Sequence, residues 1–242
     1  MLTFNPNRRR GPELMHVLDN VIWQALTTRQ AHLAESAASA RRFLPEISPL
    51  AALSAPTNEA YDSLRQILHP GEIAGLFLDE PYAPVPGWGL LRTAPLLQML
   101  HEDAATHESN HSLRHDFVLL GNADVPEMLA LTKLTEPGPF NSRTHELGTY
   151  LGIRSEGKLV AMAGERMRVP GCTEVSAVCT HPDYTGRGYA KSLMLEIMRR
   201  IRDRGETPFL HVRADNERAI ELYRKIGFRD RLRGHYAVLR KE

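Results

Sequence analysis

A strand that runs into a Gly-x-Gly loop and straight on into a long amphipathic helix constrains this chain more than any other feature. The stretch is VCTHPDYTGRGYA, residues 178–190: an apolar segment, a proline turn, then Gly186 and Gly188. Neither glycine carries a Cβ, so the backbone there can take positive φ and approach a ligand closely. A helix is expected over 191–204, with Leu193, Met194, Ile197, Met198 and Ile201 on its apolar face. Arg199, Arg200, Arg202 and Arg204 lie on its solvated face. N–H groups at a helix start lack intrahelical partners and carry partial positive charge, which makes this loop a candidate phosphate-type anion site.

Around that unit the text is regular from residue 116 onward. A strand is expected at 117–120, a turn at 121–124, and a helix from Val125 to about Thr135. After the Pro137-Gly138-Pro139-Phe140 loop and a short polar segment at 141–147, strands at 148–154 and 159–165 join at Glu156-Gly157, a hairpin turn. Pro170-Gly171 turns the chain into a strand at 172–178. Beyond the helix, Gly205 stops it and 209–213 reads as a strand. Asp215-Asn216 caps a helix bearing Ala219, Ile220, Leu222, Tyr223 and Ile226, and Gly227 and Phe228 lead to a last strand region ending at 235–239. The order implies an α/β (α+β) domain with a mixed, mostly antiparallel central sheet flanked by helices.

The N-terminal half is less regular. Gly11 and Pro12 open a helix whose stripe is Leu14, Val17, Leu18, Val21, Ile22, Ala25 and Leu26. The alanine-rich 31–40 continues as helix or helix-like linker, and Pro45 and Pro49 argue against central strands in 41–44 and 47–53. A helix capped by Thr57 or Asn58 is expected over 57–68, and a buried strand over 73–78. Pro81, Pro84 and Pro86 make an ordered loop before a packing Trp88. The pattern over 88–100 fits strand or helix. Residues 101–115 are polar and read as a domain boundary; His107 and His111 have metal-type i,i+4 spacing, but with no cysteine or His-Glu-x-x-His nearby no metal is expected. The expected division is therefore a helical and strand-containing region at 1–112 and an α/β domain at 113–242.

Composition matters here for what it excludes. A formal net charge of +1 provides no global field for nucleic acid, and Glu196 and Asp203 interrupt the arginine run of the long helix. No apolar run reaches the ~18–20 residues a membrane span needs, and the Arg8 to Arg10 cluster has no apolar core behind it. A cytoplasmic location is expected, without nucleic-acid or membrane partners. Cys172 and Cys179 have no metal-type spacing and read as reduced core thiols.

Two segments resemble the GNAT N-acetyltransferase superfamily: VCTHPDYTGRGYAKSLM, with its phosphate-binding glycine loop, and VRADNERAIELYRKIGF, with its Asn-x-x-Ala-x-x-x-Tyr-x-x-x-Gly-Phe pattern. The resemblance covers about residues 115–242. It implies acetyl-CoA as co-substrate, no metal, and a small-molecule or peptide amine as acceptor, with homodimerisation left open. It implies that Gly186, Arg187, Gly188, Tyr189, Ala190 and Lys191 hold the pyrophosphate through main-chain N–H groups. Val178, Cys179 and Thr180 would border the pantetheine arm and the thioester, Asn216 would contact the cofactor arm, and Tyr223 would protonate the departing thiolate. Thr185 stands where the family has Gln or Arg, which implies weaker anchoring there. For the general base, Glu165 and Glu174 are both candidates. The N-terminal region would be either a degenerate copy of the fold or a module shaping the acceptor site. A non-catalytic acyl-CoA-binding sensor is the competing reading.

Overall fold

The structure, a computed structural model, describes residues 16–102 and 115–242. The helix start at Gly11 and Pro12, Leu14, the Arg8 to Arg10 cluster and the His107 and His111 pair lie outside these residues. The chain runs through α1 (Val21–Thr27), β1 (Ala34–Ala37), β2 (Ala40–Phe43), β3 (Ala51–Leu53), α2 (Asn58–Gln66), β4 (Ile73–Leu78) and β5 (Trp88–His101). It continues as β6 (Val118–Leu119), α3 (Val125–Thr135), β7 (Tyr150–Ser155), β8 (Lys158–Val169), β9 (Cys172–Thr180), α4 (Tyr189–Asp203), β10 (Thr207–Arg213), α5 (Glu217–Lys225) and β11 (Phe228–Lys241).

Eight strands form one sheet in the order β4-β11-β5-β10-β9-β8-β7-β6, and β1-β2-β3 form a small one. Every pairing in the large sheet is antiparallel except that of β9 with β10. β4 and β5 precede residue 112 and the rest follow 113, so a single sheet crosses the expected division. β5 lies between β10 and β11, which settles 88–100 as part of a strand of fourteen residues, Trp88–His101.

Strand alternation assigns the two faces. Leu97, Met99, Ala163, Val175, Leu210 and Val212 pack with Leu193, Met194, Ile197, Met198 and Ile201 of α4 in one apolar cluster. The five α4 side chains are all 0% exposed, as their spacing predicts. On the opposite face Phe209, Met167 and Val169 pack with Val21, Ile22, Ala25 and Leu26 of α1. Tyr150, Met162 and Cys179 pack there too, with Met128 and Leu131 of α3. The arginine face of α4 is solvated, and Arg199 and Arg200 both bind Glu196.

Two N-terminal expectations are overturned. Residues 31–40 are not helical: a 3-10 turn at Ala31–Leu33 leads into the β1–β2 hairpin. Alanine's helix preference is a few tenths of a kcal/mol per residue, roughly, and non-local pairing outweighs it. Ala40 and Ala51 are fully buried in one cluster with Ala60 and Leu64 of α2. Segment 41–44 does supply a central strand, since β2 lies between β1 and β3. Pro45 and Pro49 fall between β2 and β3, where no ladder N–H is lost. The α2 expectation holds, with the Thr57 side chain accepting from the Ala60 N–H at 3.3 Å, and Glu156 and Gly157, at φ 51° and 80°, form the β7–β8 turn. Trp88 is buried with Tyr61. Among the described residues no helix is long and apolar enough to cross a membrane.

Candidate functional site

The site begins where the parallel pairing of β9 with β10 ends. β9 and β10 pair over Thr207↔Cys172, Pro208↔Thr173 and Phe209↔Glu174 only. β9 then continues to Thr180 and β10 to Arg213 without touching, so two strand edges diverge and leave main-chain N–H and C=O groups facing an opening. A bulge widens it. Met162 pairs with Cys179 but Gly164 pairs with Ser176, so β9 carries one residue more than β8 across this interval. Ala177 there has φ 52°, a left-handed conformation that costs a non-glycine residue about 1 kcal/mol or more. Bulges of this kind re-aim a strand next to functional sites. No sequence signal marked it, because alanine rather than glycine stands at the strained position.

Beyond the opening, Val178 packs toward the α4 cluster. The Cys179 side chain turns into the α3 side, where burial pushes its thiol up to about 11. Burial also raises the thiol of Cys172. Both cysteines are buried and free, as the sequence reading expects. The buried Thr180 Oγ1 has no hydrogen-bond partner among the described residues.

The glycine loop has the conformation its residues require. Gly186 and Gly188 lie at φ 78° and 81°. A Cβ built on either would meet nothing within 4 Å, so backbone conformation rather than crowding demands glycine. Gly188 is the N-cap of α4 and no side chain caps the helix. The first intrahelical bond runs from the Ser192 N–H to the Gly188 carbonyl at 3.0 Å, so the N–H groups of Tyr189, Ala190 and Lys191 precede the ladder. A fifteen-residue helix aims its positive end through this uncapped turn. Thr185 donates its hydroxyl back to the Pro182 carbonyl at 3.0 Å and closes the preceding turn. The Arg187 guanidinium lies over the Tyr184 ring at 4.7 Å.

Across the opening, Asn216 caps α5 by accepting from the Ala219 N–H at 3.2 Å, which uses Oδ1 and not the amide donor. Tyr223, on α5, packs its ring edge-on to Phe228, and burial pushes its phenol up to about 12. Tyr184, Tyr189, Ala219 and Tyr223 all border the α4-side cluster, so the glycine loop and Tyr223 share one face of the sheet.

The two candidate glutamates are each bound in ion pairs. Glu165, buried, accepts from Arg204 Nη2 at 2.8 Å, at the far end of α4. Glu174 is fully buried on the opposite face. Arg166 Nε and Nη2 donate to it at 2.7 and 2.6 Å, and the Met167 N–H at 3.3 Å. Burial works against the charge, but Arg166 and His211 hold this carboxyl down at about 2. A carboxylate held so low is a weak proton acceptor.

The residue that sequence reasoning missed is His211. Its Nδ1 lies 2.7 Å from Glu174 Oε1, and it lines a narrow cleft together with Asp19, Asn20, Phe77, Asp79 and Gln98. The signal was available: in 209–213, Phe209 and His211 alternate with apolar Leu210 and Val212, which places a histidine inside a central strand.

Comparison with known proteins gives this geometry its context. The family described as FR47-like protein matches residues 150–237. The N-alpha-acetyltransferase RimI of Mycobacterium tuberculosis is 38% identical over 100 residues, covering 38% of this chain and 62% of that protein. A mycothiol acetyltransferase of Saccharomonospora viridis is 46% identical over 90 residues, covering 34% of this chain and 29% of that protein. The chain thus spans less than two thirds of the length of either. A crystal structure of a GNAT-family protein from Novosphingobium aromaticivorans is 41% identical, covers 94% of this chain and 100% of that one, and superposes with a TM-score of 0.86. This chain belongs to the GNAT family. That match extends well before residue 113, so the N-terminal strands of this GNAT protein belong to the shared architecture. A GNAT structure from Kribbella flavida, at 17% identity and a TM-score of 0.55, shares the fold.

Proposed function

We propose that this chain is an acetyl-CoA-dependent N-acetyltransferase that transfers the acetyl group to an amine by direct attack in a ternary complex. One observation carries the reading: β9 and β10 diverge directly beside an uncapped, glycine-led helix start, with Tyr223 on the same face. The names of the relatives, N-alpha-acetyltransferase and mycothiol acetyltransferase, support the same reaction class.

When bound, acetyl-CoA supplies an acyl thioester already activated toward nucleophiles. The chain's own residues do the rest. Main-chain N–H groups from Gly186 to Lys191 receive the pyrophosphate. The diverging β9 edge from Val178 through Cys179 to Thr180 receives the pantetheine arm, and its N–H groups polarise the thioester carbonyl as charge develops there. Asn216 offers its amide N–H, and Tyr223, kept neutral by burial, offers a proton to the sulfur. The amine enters from the opposite face, through the cleft that α1, β4 and β5 build over β10. That gives the 1–112 region the role of an acceptor-side module.

Gly188→Val is expected to weaken acetyl-CoA binding by about tenfold or more, since a β-branched residue at φ 81° costs roughly 1–2 kcal/mol; isothermal titration measures it, and unchanged affinity would detach the loop from the donor. The function itself is tested by thiol release from acetyl-CoA across amino acids, polyamines, aminoglycosides and peptide N-termini. Acceptor-dependent release is expected. Tight binding with no release for any amine favours the competing reading, a non-catalytic acyl-CoA sensor.

A further inference from the structure

The geometry points to His211 as the general base that takes a proton from the acceptor amine, with Glu174 as its positioning residue. The inference rests on the acetyltransferase reading above and gives His211 the role for which the sequence offers Glu165 and Glu174, both of them ion-paired in the structure.

His211 lies two residues beyond Phe209, the last residue of β10 paired to β9, and Glu174 is Phe209's partner on β9. Their side chains therefore bridge the base of the opening, on the face away from α4, and they meet at 2.7 Å. The surrounding hydrogen bonds fix which nitrogen carries the proton. Arg231 Nη1 donates to Gln98 Oε1 at 2.6 Å, so the Gln98 amide must point its nitrogen the other way. That nitrogen donates to the Leu18 carbonyl at 3.0 Å and lies 3.0 Å from His211 Nε2. Nε2 is therefore an acceptor, and Nδ1 carries the hydrogen and donates it to Glu174. Glu174 cannot drift, because Arg166 grips both its oxygens.

Nε2, the ring nitrogen without a hydrogen, thus faces Gln98 on the neighbouring strand β5 at the wall of the cleft, and Gln98 occupies the place of an incoming N–H donor. An acceptor amine brings the same donor type and takes that place. Of the two protons an ammonium loses on becoming an amide, His211 takes one at Nε2 and passes it to solvent. The nitrogen lone pair forms the new bond to the acyl carbon, the carbon–sulfur bond breaks, and sulfur keeps that electron pair and takes the second proton. The charged and titratable groups facing the cleft and the ring are Glu174 on β9, Arg166 on β8, Arg231 and Tyr236 on β11, Asp79 beyond β4 and Asp19 before α1. Burial lowers the imidazole from its ordinary value, against the pull of Glu174, and keeps it neutral at pH 7.

Two measurements test this. In the wild-type protein, nitrogen-15 shifts of the His211 ring at pH 7 should show a hydrogen on Nδ1 and a bare Nε2. A hydrogen on Nε2, whether in the other neutral tautomer or in an imidazolium, would overturn the assignment even if no acceptor were known. In turnover with the best amine of the panel, His211→Gln, which keeps an N–H donor for Glu174, should lower kcat/KM at pH 7 by about 10²–10⁴-fold. Acetyl-CoA affinity should stay unchanged, and the rising limb of the pH profile should move to higher pH. Glu174→Gln should move that limb to lower pH, because the carboxylate that favours the imidazolium is gone. A wild-type protein that turns over while His211→Gln keeps its rate and pH profile sinks this inference alone. A wild-type protein that acetylates nothing sinks the acetyltransferase reading, and the ring tautomer still decides whether His211 is poised as a base.

Discussion

Tyr223→Phe is expected to lower kcat by about 10²–10⁴-fold with acetyl-CoA affinity nearly unchanged, the loss typical of a positioned acid. The phenyl ring keeps the packing against Phe228 and the α4-side cluster, so only the hydroxyl is removed. Because burial holds the phenol at about 12, Tyr223 remains a proton donor through the neutral range, and its own titration does not shape the profile there. The variant should instead recover with rising pH. Above roughly pH 8.5, the range where simple thiols ionise, the departing sulfur is stable as thiolate and needs a donor less. Rates for both proteins across that range check it. A Tyr223→Phe protein that matches the wild type at every pH would remove the acid from the mechanism.

The second large effect is on stability. Arg166→Met is expected to cost about 3–5 kcal/mol in denaturant unfolding at neutral pH, because it strands a buried carboxylate. Glu174 is fully buried, and the Arg166 fork is its principal counter-charge. Adding Glu174→Gln to Arg166→Met should restore much of the loss, since no buried charge remains to be compensated. The pH dependence should change sign. In the wild type the carboxyl is held at about 2, below its ordinary 4.5, so its contribution is complete above that ordinary value and is lost as pH falls toward 2. His211 acts in the same direction: burial lowers it below 6.5, so the unfolded chain binds the proton more readily and acidification through that range costs stability. With Arg166 gone, burial raises the Glu174 carboxyl, and the variant should regain ground on the wild type as pH falls. An Arg166→Met protein with wild-type stability and an unchanged pH slope would mean that Glu174 is not held as described.

What the sequence disclosed and what it concealed divide along a physical line. The glycine loop, α4, α5 with its Asn216 cap, and the Glu156-Gly157 hairpin are written in nearby residues: positive-φ glycines, a period of 3.6, a capping side chain. Each could be read directly. Features set by non-local pairing could not. Nothing local tells β5 to lie between β10 and β11, and the alanine-rich run forms a hairpin only because Ala40 and Ala51 are buried with α2. The same limit applied at the site. Glu174 reads in the sequence as a carboxylate on a central strand, but its partners Arg166 and His211 come from β8 and β10. Only the fold reveals that the glutamate is bound in a network and that the histidine joins it to Gln98. Thr185, where the family has Gln or Arg, has a local job, closing the turn before the loop on the Pro182 carbonyl.

The most direct test of the donor site is the structure of this protein crystallised with coenzyme A. The account predicts the pyrophosphate within hydrogen-bonding distance of the N–H groups between Gly186 and Lys191, and the sulfur in the opening between β9 and β10, on the Tyr223 side of the sheet. A pyrophosphate bound elsewhere, or a sulfur outside that opening, would contradict it.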